Sequence, residues 1–197
     1  MVYSISEKNI GKLLLDSNGK TFYGAYQEWY PTRFRRMTGC GPTAAANLLA
    51  CALPDVPFGT AEARVAVMQT MWNYLTPGVR GLHRVRKFKK GSDAFFKAKK
   101  LSLSCRCAEF AADSPLTIGQ TADFIKEALS LDAPLAFLNL LNNSVKDLER
   151  WHWVTIVSFD DADMTATVFD GDKKFLLPLP LWFEKPRDRC GLAYYAK

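Results

Sequence analysis

The sequence predicts a single domain of the α+β class, with helices concentrated in its first half and strands in its second. Apolar residues recur at helical spacing in the segment that follows Cys40 and again over residues 60–75. In the second half, residues 151–159 and 164–170 are rich in β-branched and aromatic side chains and are separated by an acidic turn, which predicts an antiparallel hairpin. With 197 residues, the chain is long enough to bury one sizeable core.

The elements of the first half follow from apolar spacing and from turn residues. Residues 1–20 are polar and mixed, and we expect them to form a peripheral arm with a turn at Asn18-Gly19. The helix after Cys40 should end near Leu53, before two prolines. A second helix is predicted over residues 60–75 and is stopped by a Thr-Pro-Gly sequence.

The second half contains one further predicted helix and several strands. Thr117 and Gln120 have the spacing of a capping box at the start of a helix over residues 117–130. Residues 101–107 alternate between apolar and polar, which predicts a half-buried strand with Cys105 and Cys107 on its apolar face. Their spacing is closer than that of a usual zinc pair and no second pair is present, so we expect no metal and no cofactor. Further strands are predicted at residues 135–141, 175–179 and 191–196.

Composition restricts the possible partners and compartments. The net charge is +6, and the basic residues are concentrated between Arg80 and Lys100 without any nucleic-acid recognition motif. A solvated basic face is the favoured interpretation, so no nucleic acid is expected, although attraction to an acidic partner stays open. Five cysteines do not suggest a disulfide framework, and neither a signal peptide nor a membrane segment is visible, so a cytoplasmic protein with reduced thiols is expected.

Cys40 is the candidate nucleophile. It stands between Gly39 and Gly41 at the predicted start of a helix, where unpaired amides and the positive end of the helix dipole favour a thiolate. Pro42 fits the first helical turn because its missing amide proton would have no partner there. The alternative is a structural cysteine, since buried cysteines are usually inert.

A candidate base and an acid that could orient it lie in the predicted hairpin. The chain has two histidines, and His83 lies in the basic stretch, whereas His152 opens a strong strand between two tryptophans. If the hairpin loop has an odd number of residues centred on Asp161, Asp170 stands directly opposite His152. A four-residue loop would shift this pairing by one. Asp170 could alternatively be only part of a turn with the glycine that follows it.

These residues resemble the motifs of a known enzyme family. The sequence around Cys40, Gly-Cys-Gly-Pro-Thr-Ala-Ala-Ala-Asn-Leu-Leu, and the sequence Trp-His-Trp-Val-Thr-Ile-Val around His152 resemble those of papain-like cysteine peptidases, in particular the bacterial branch that processes double-glycine leader peptides. The resemblance implies a papain-like fold, in which a helical half that carries Cys40 packs on an antiparallel sheet that carries His152 and Asp170. It also implies that a glutamine completes the oxyanion hole. Gln27 is the only glutamine before Cys40, thirteen residues upstream and farther than is usual in that family.

The resulting hypothesis is a cysteine peptidase or amidohydrolase that acts on a peptide or protein through a thioester. Its catalytic residues would be Cys40, His152 and Asp170, with Gln27 in the oxyanion hole. Acyl transfer of the transglutaminase or acetyltransferase type could use the same groups. A non-catalytic binding module with a basic face is the alternative from another class. Trp182 is a candidate for shielding the His152–Asp170 pair, as a tryptophan does in the family.

Overall fold

The computed structural model describes residues 1–17, 19–110 and 115–197, which form a mixed α+β structure with an antiparallel sheet. Asn18, half of the predicted turn, lies outside the described residues. The helices are α1 (Glu7–Leu13), α2 (Arg33–Thr38), α3 (Cys40–Ala52), α4 (Ala61–Leu75), α5 (Val85–Ala98), α6 (Ile118–Ser130) and α7 (Leu179–Phe183), with a short 3₁₀ helix at Gln27–Trp29. The strands are β1 (Val2–Ser4), β2 (Leu14–Ser17), β3 (Lys20–Tyr23), β4 (Ser104–Glu109), β5 (Leu135–Asn139), β6 (His152–Asp160), β7 (Thr165–Asp170), β8 (Lys173–Pro178) and β9 (Gly191–Ala196). Among the described helices, none has the length and apolar character needed to cross a bilayer.

The main sheet is antiparallel and has β6 at its centre. Its strand order is β4-β9-β5-β6-β7-β8, and β1 pairs with the far end of β6. Strand β6 is almost entirely buried, as expected for a run of aromatic and β-branched residues. Strands β2 and β3 form a separate hairpin.

Helix α3 packs directly against the sheet. It contacts β6, β5 and β9, while α4 packs against α3, and α5 packs against α4 and β4. The run Ala44, Ala45 and Ala46 is at most 2% exposed, and such small side chains allow a helix to approach a sheet closely. The predicted helices after Cys40 and over residues 60–75 are thus present as α3 and α4.

The N-terminal segment is packed into the fold and does not form the expected peripheral arm. Strand β1 pairs with residues 158–160 of β6, and Ile5 and Leu13 are buried in the core. The sequence of residues 1–20 does not predict these buried positions. Ile5 is an isolated apolar residue and Leu13 is the last residue of a short helix, so neither belongs to a longer apolar pattern. A few apolar residues at the right positions therefore suffice to hold the segment.

The basic stretch between Arg80 and Lys100 contains helix α5, which was not predicted because charged residues dominate its sequence. Helix α5 buries Phe88, Phe95 and Phe96, while Lys87, Lys90 and Lys97 are exposed. Its apolar stripe is narrow, but it is continuous along the face that packs on α4 and β4. In the neighbouring strand β4, Cys105 is buried and Cys107 is half-buried.

A buried arginine on α4 connects this helix to the N-terminal segments through hydrogen bonds. Arg64 is fully buried, and burial lowers its pKa to about 10. Because this value is still well above 7, the guanidinium group stays charged at neutral pH. Its guanidinium group donates hydrogen bonds of 2.6 to 3.1 Å to the carbonyl oxygens of Lys12, Leu13, Leu14, Gly24 and Phe58. Among the described residues, no carboxylate pairs with Arg64. The carbonyl dipoles compensate its buried charge instead.

Replacing this arginine should therefore destabilise the fold. We expect Arg64→Met to lower the free energy of unfolding by about 3 kcal/mol or more, because it leaves buried carbonyls without donors. Urea denaturation measures the change. Arg86→Met is the matched control, since the Arg86 side chain is 84% exposed and its loss should cost at most about 0.5 kcal/mol. Equal losses in the two variants would contradict the assigned role of Arg64.

Candidate active site

Cys40 is the first residue of α3, as predicted, and its surroundings are closely packed. The cysteine is 7% exposed. A Cβ atom at Gly39 would collide with the ring of Tyr30, and one at Gly41 would lie 2.9 Å from Leu82. Both glycines are therefore required by the packing of neighbouring segments around the thiol.

His152 is the first residue of β6 and is 8% exposed. Its Nε2 lies 2.9 Å from Oδ1 of Asp170, at the end of β7. Burial alone would lower the pKa of the imidazole, but the hydrogen bond to Asp170, the nearby thiol of Cys40 and the charges of both groups raise this pKa well above its ordinary value. The structure thus brings the three residues together, with Asp170 at one ring nitrogen and Cys40 close enough to act on the same ring.

The strand register differs from the one predicted for an odd loop. Four residues separate the last pair, Asp160 and Thr165, and the register then shifts between Ile156 and Ser158. Beyond this bulge, Thr155 is opposite Phe169, so Asp170 is a diagonal neighbour of His152 and not its direct partner. The hydrogen bond forms because diagonal neighbours on one face remain within reach of long side chains.

The bulge decides on which face Asp170 lies. Side chains alternate between the two faces of a strand, so the extra residue, Val157, reverses the facing of everything beyond it. If Val157 were instead paired regularly, the register set at the turn would place Asp170 opposite Thr155, and therefore on the face opposite to that of His152. The carbonyl oxygen of Val157 accepts a hydrogen bond of 3.1 Å from the backbone of Ile5, so the N-terminal segment supports the bulge.

Gln27 lies on the same side as the histidine despite its distance in sequence. With His152 and Asp170, it lines a cavity of about 200 Å³. Helix α2 accounts for much of the chain between Gln27 and Cys40, which explains how a separation of thirteen residues brings the two into one region. Oε1 of Gln27 is buried and has no hydrogen-bond partner among the described residues.

Among the described residues, Trp182 and His83 make no hydrogen bond to Cys40, His152 or Asp170. Trp182 is fully buried in the core, and its Nε1 donates a hydrogen bond of 3.2 Å to Asn139, the residue paired with His152 across the sheet. His83 lies against the side chain of Trp151, with 6.3 Å between ring centroids.

Sequence reasoning missed Asn47, which links the segments that carry these groups. It lies two turns after Cys40 on α3 and is 3% exposed. Its Oδ1 accepts a hydrogen bond of 2.8 Å from the backbone N–H of Ala25, and its Nδ2 donates one of 2.9 Å to the hydroxyl of Thr155 in β6. A polar residue within a helix of alanines and leucines was the available signal.

A cleft opens on the other side of Cys40. Its volume is about 540 Å³, and it is lined by Met37, Cys40, Val79, Arg80, Gly81 and Trp151. The site therefore has an open, largely apolar approach on the cysteine side and a smaller polar cavity on the histidine side.

Comparison with known proteins shows remote structural similarity. No family model matches the chain, and no curated protein sequence matches it. Among solved structures, the crystal structure of the Pseudomonas avirulence protein AvrPphB aligns with 89% of this chain and 97% of its own, at 13% sequence identity and a TM-score of 0.39. A score this low does not identify the fold.

The raised pKa of His152 can be tested by its titration. Asp170→Asn should lower this pKa by about one pH unit or more, because the carboxylate no longer favours the imidazolium ion. Proton NMR of the imidazole resonances measures the change, and His83→Gln identifies the second histidine as the internal reference.

The same charge pair should make stability depend on pH. A folded-state pKa above the unfolded value means that the pair stabilises the protein fully below about pH 6.5 and loses this effect as the pH rises through the raised pKa. Asp170→Asn should therefore cost more unfolding free energy at acidic than at alkaline pH. An unchanged His152 titration would contradict the assigned contact.

Proposed function

We propose that this protein is a cysteine peptidase or related amidohydrolase with a papain-like fold, in which Cys40 is the nucleophile. The observation that carries the proposal is the buried ring of His152, which bonds to Asp170 and interacts with Cys40. A nucleophile, a base and a group that orients the base are the three parts of a covalent hydrolytic site. The packing of α3 against the antiparallel sheet that carries the other two residues supports the papain-like arrangement.

In the proposed first step, Nδ1 of His152 takes the proton of the Cys40 thiol while Nε2–H donates to Asp170. The thiolate attacks the substrate carbonyl carbon, a C–S bond forms, and the π electrons move to the oxygen. When this intermediate collapses, the C–N bond breaks and the amine leaves with the proton from His152. A water molecule, deprotonated by His152, then attacks the thioester and releases the acid and the thiol.

The oxyanion would be stabilised by the backbone N–H of Cys40 and by Gln27. Two observations support this role for Gln27. It shares a cavity with His152, and Oε1 of its carboxamide is not held by a hydrogen bond from any described residue. The carboxamide can therefore turn its N–H towards the oxyanion when substrate binds.

Selective alkylation tests the nucleophile. At pH 7, we expect iodoacetamide to modify Cys40 at least about tenfold faster than the other cysteines, because His152 can take its proton. Burial raises the pKa of the other thiols, to about 12 for Cys51 and about 11 for Cys190. Peptide mass spectrometry measures each rate.

The variant His152→Asn supplies the control for this experiment. It should slow the labelling of Cys40 and leave that of half-buried Cys107 unchanged. Equal labelling of Cys40 and Cys107, or no effect of the substitution, would contradict the assignment.

A peptide library tests the reaction itself. The wild type should produce new termini and Cys40→Ala none, whereas ligated products would indicate acyl transfer. An unreactive Cys40 would favour the non-catalytic binding module.

Replacing Asn47 should weaken the stabilisation of the oxyanion more than it changes the reactivity of the thiol. We expect Asn47→Leu to release the Ala25 backbone and displace the neighbouring Gln27. Acylation of Cys40 by 4-nitrophenyl acetate forms an oxyanion, whereas alkylation by iodoacetamide does not. The substitution should therefore lower the ratio of the acylation rate to the alkylation rate about tenfold.

A second buried asparagine provides the comparison. Asn9 is 6% exposed and hydrogen-bonds to Asp132, in a contact that does not involve the site. Asn9→Leu should leave the ratio of acylation to alkylation unchanged. If Asn47→Leu slows both reactions equally, the residue stabilises the fold without positioning Gln27.

A further inference from the structure

The cleft beside Cys40 exposes apolar side chains that a folded protein normally buries. Val79 is 86% exposed, Met37 71% and Trp151 47%, and all three line the same cavity of about 540 Å³. Apolar groups gathered around a concave surface favour binding of an apolar partner group. This cleft adjoins the candidate nucleophile.

One wall of the cleft is a turn that the surrounding structure holds in place. The N–H of Gly81 donates a hydrogen bond of 2.9 Å to the carbonyl oxygen of Gly78, so Val79 and Arg80 form the tip of the turn. The next residue, Leu82, packs against Gly41, and its carbonyl oxygen accepts a hydrogen bond from the indole of Trp153. The tip is therefore anchored to the elements that carry Cys40 and His152.

The opposite wall is a tryptophan with a strained backbone. Trp151 has a φ of 59°, a conformation that aromatic residues rarely adopt, and its N–H donates a hydrogen bond of 2.9 Å to Leu140. Such conformations persist where the surrounding structure enforces them, and they are concentrated at ligand sites. Here the strained residue is adjacent to His152 and places its indole in the cleft.

Arg80 contributes a positive charge to the cleft. Within residues 1–17, 19–110 and 115–197, no carboxylate lies within ion-pair distance of its guanidinium group. On the histidine side the carboxylates are already paired: Asp172 with Lys20 at 2.7 Å, Glu149 with Lys173 at 3.5 Å and Glu28 with Arg36 at 3.8 Å. The two sides of the site therefore differ in the charge that they offer to a substrate.

We propose that the cleft binds the acyl side of the substrate and selects a peptide with an acidic residue next to a large apolar one, just before the bond that is cleaved. The apolar side chain contacts Val79, Met37 and Trp151, and the carboxylate pairs with Arg80. Arginine suits this role because its planar donors match the two oxygens of a carboxylate. The inference rests on the proposed function of Cys40 as a nucleophile.

Peptidyl chloromethyl ketones that differ only in charge test the inference without a known substrate. We would compare acetyl-Glu-Leu-Gly and acetyl-Leu-Glu-Gly chloromethyl ketones with their lysine counterparts and measure the rate of Cys40 labelling by mass spectrometry. The wild type should prefer the glutamate member of at least one pair by about tenfold. Arg80→Gln should abolish the preference, and Arg80→Glu should reverse it.

A control variant outside the cleft and a second variant within it separate the effect of Arg80 from other causes. Lys87→Glu changes the net charge equally on the exposed face of α5, outside the cleft, and should leave the preference intact. Val79→Ser removes an exposed apolar contact and should slow labelling by all probes. If Lys87→Glu reverses the preference as Arg80→Glu does, net charge and not Arg80 is responsible, and the proposal is wrong.

The outcomes also distinguish this proposal from the function on which it rests. Equal labelling of wild-type Cys40 by the glutamate and lysine probes would leave the nucleophile in place and overturn the acidic preference. If no probe labels Cys40 of the folded wild type, the proposed hydrolytic function fails, and the substrate preference fails with it.

Discussion

The arrangement of the candidate site depends on one buried amide. Asn47 connects α3, which carries Cys40, to β6, which carries His152, and to the segment that leads to Gln27. A buried polar group that loses its partner costs free energy, so each of these segments is constrained by the other two. The same segment is held from its other side, since the carbonyl oxygen of Gly24 accepts a hydrogen bond from buried Arg64. Gly24 leaves no room for a side chain, because a Cβ there would lie 2.6 Å from the amide of Asn47.

The electrostatics of the site follow from competition between burial and neighbouring groups. Removing an imidazole from water favours its neutral form, whereas Asp170 and Cys40 favour the charged form, and their combined effect prevails. A histidine held in this way keeps a fixed orientation, because Asp170 engages one nitrogen and leaves the other for the thiol. Burial raises the pKa of each of the four remaining cysteines, and none of these shifts involves a histidine, whereas Cys40 lies beside His152.

Much of this arrangement could be predicted from the sequence, and the exceptions have physical reasons. Helix α3 and strand β6 have strong local signals, so Cys40 and His152 could be placed on the correct elements. The contact of His152 with Asp170 was expected, but its register was not, since no local signal marks the bulge at Val157. Helix α5 was missed because lysines outnumber the phenylalanines that it buries. Contacts of Arg64 depend on segments far apart in sequence, and local patterns carry no information about them.

The bulge has a consequence for how related chains would be compared. After the four-residue turn, regular pairing would leave the acid and the imidazole on opposite faces, and the one unpaired residue in β6 brings them to the same face. A relative that lacked the equivalent of Val157 would keep the pairs beyond it, because this residue has no partner on β7, and its acid and histidine would be one residue closer in sequence. Such a relative would also lack the carbonyl oxygen that accepts the hydrogen bond from the backbone N–H of Ile5. We therefore expect the spacing of the acid and the histidine to vary together with the attachment of the N-terminal segment, although the two are distant in sequence.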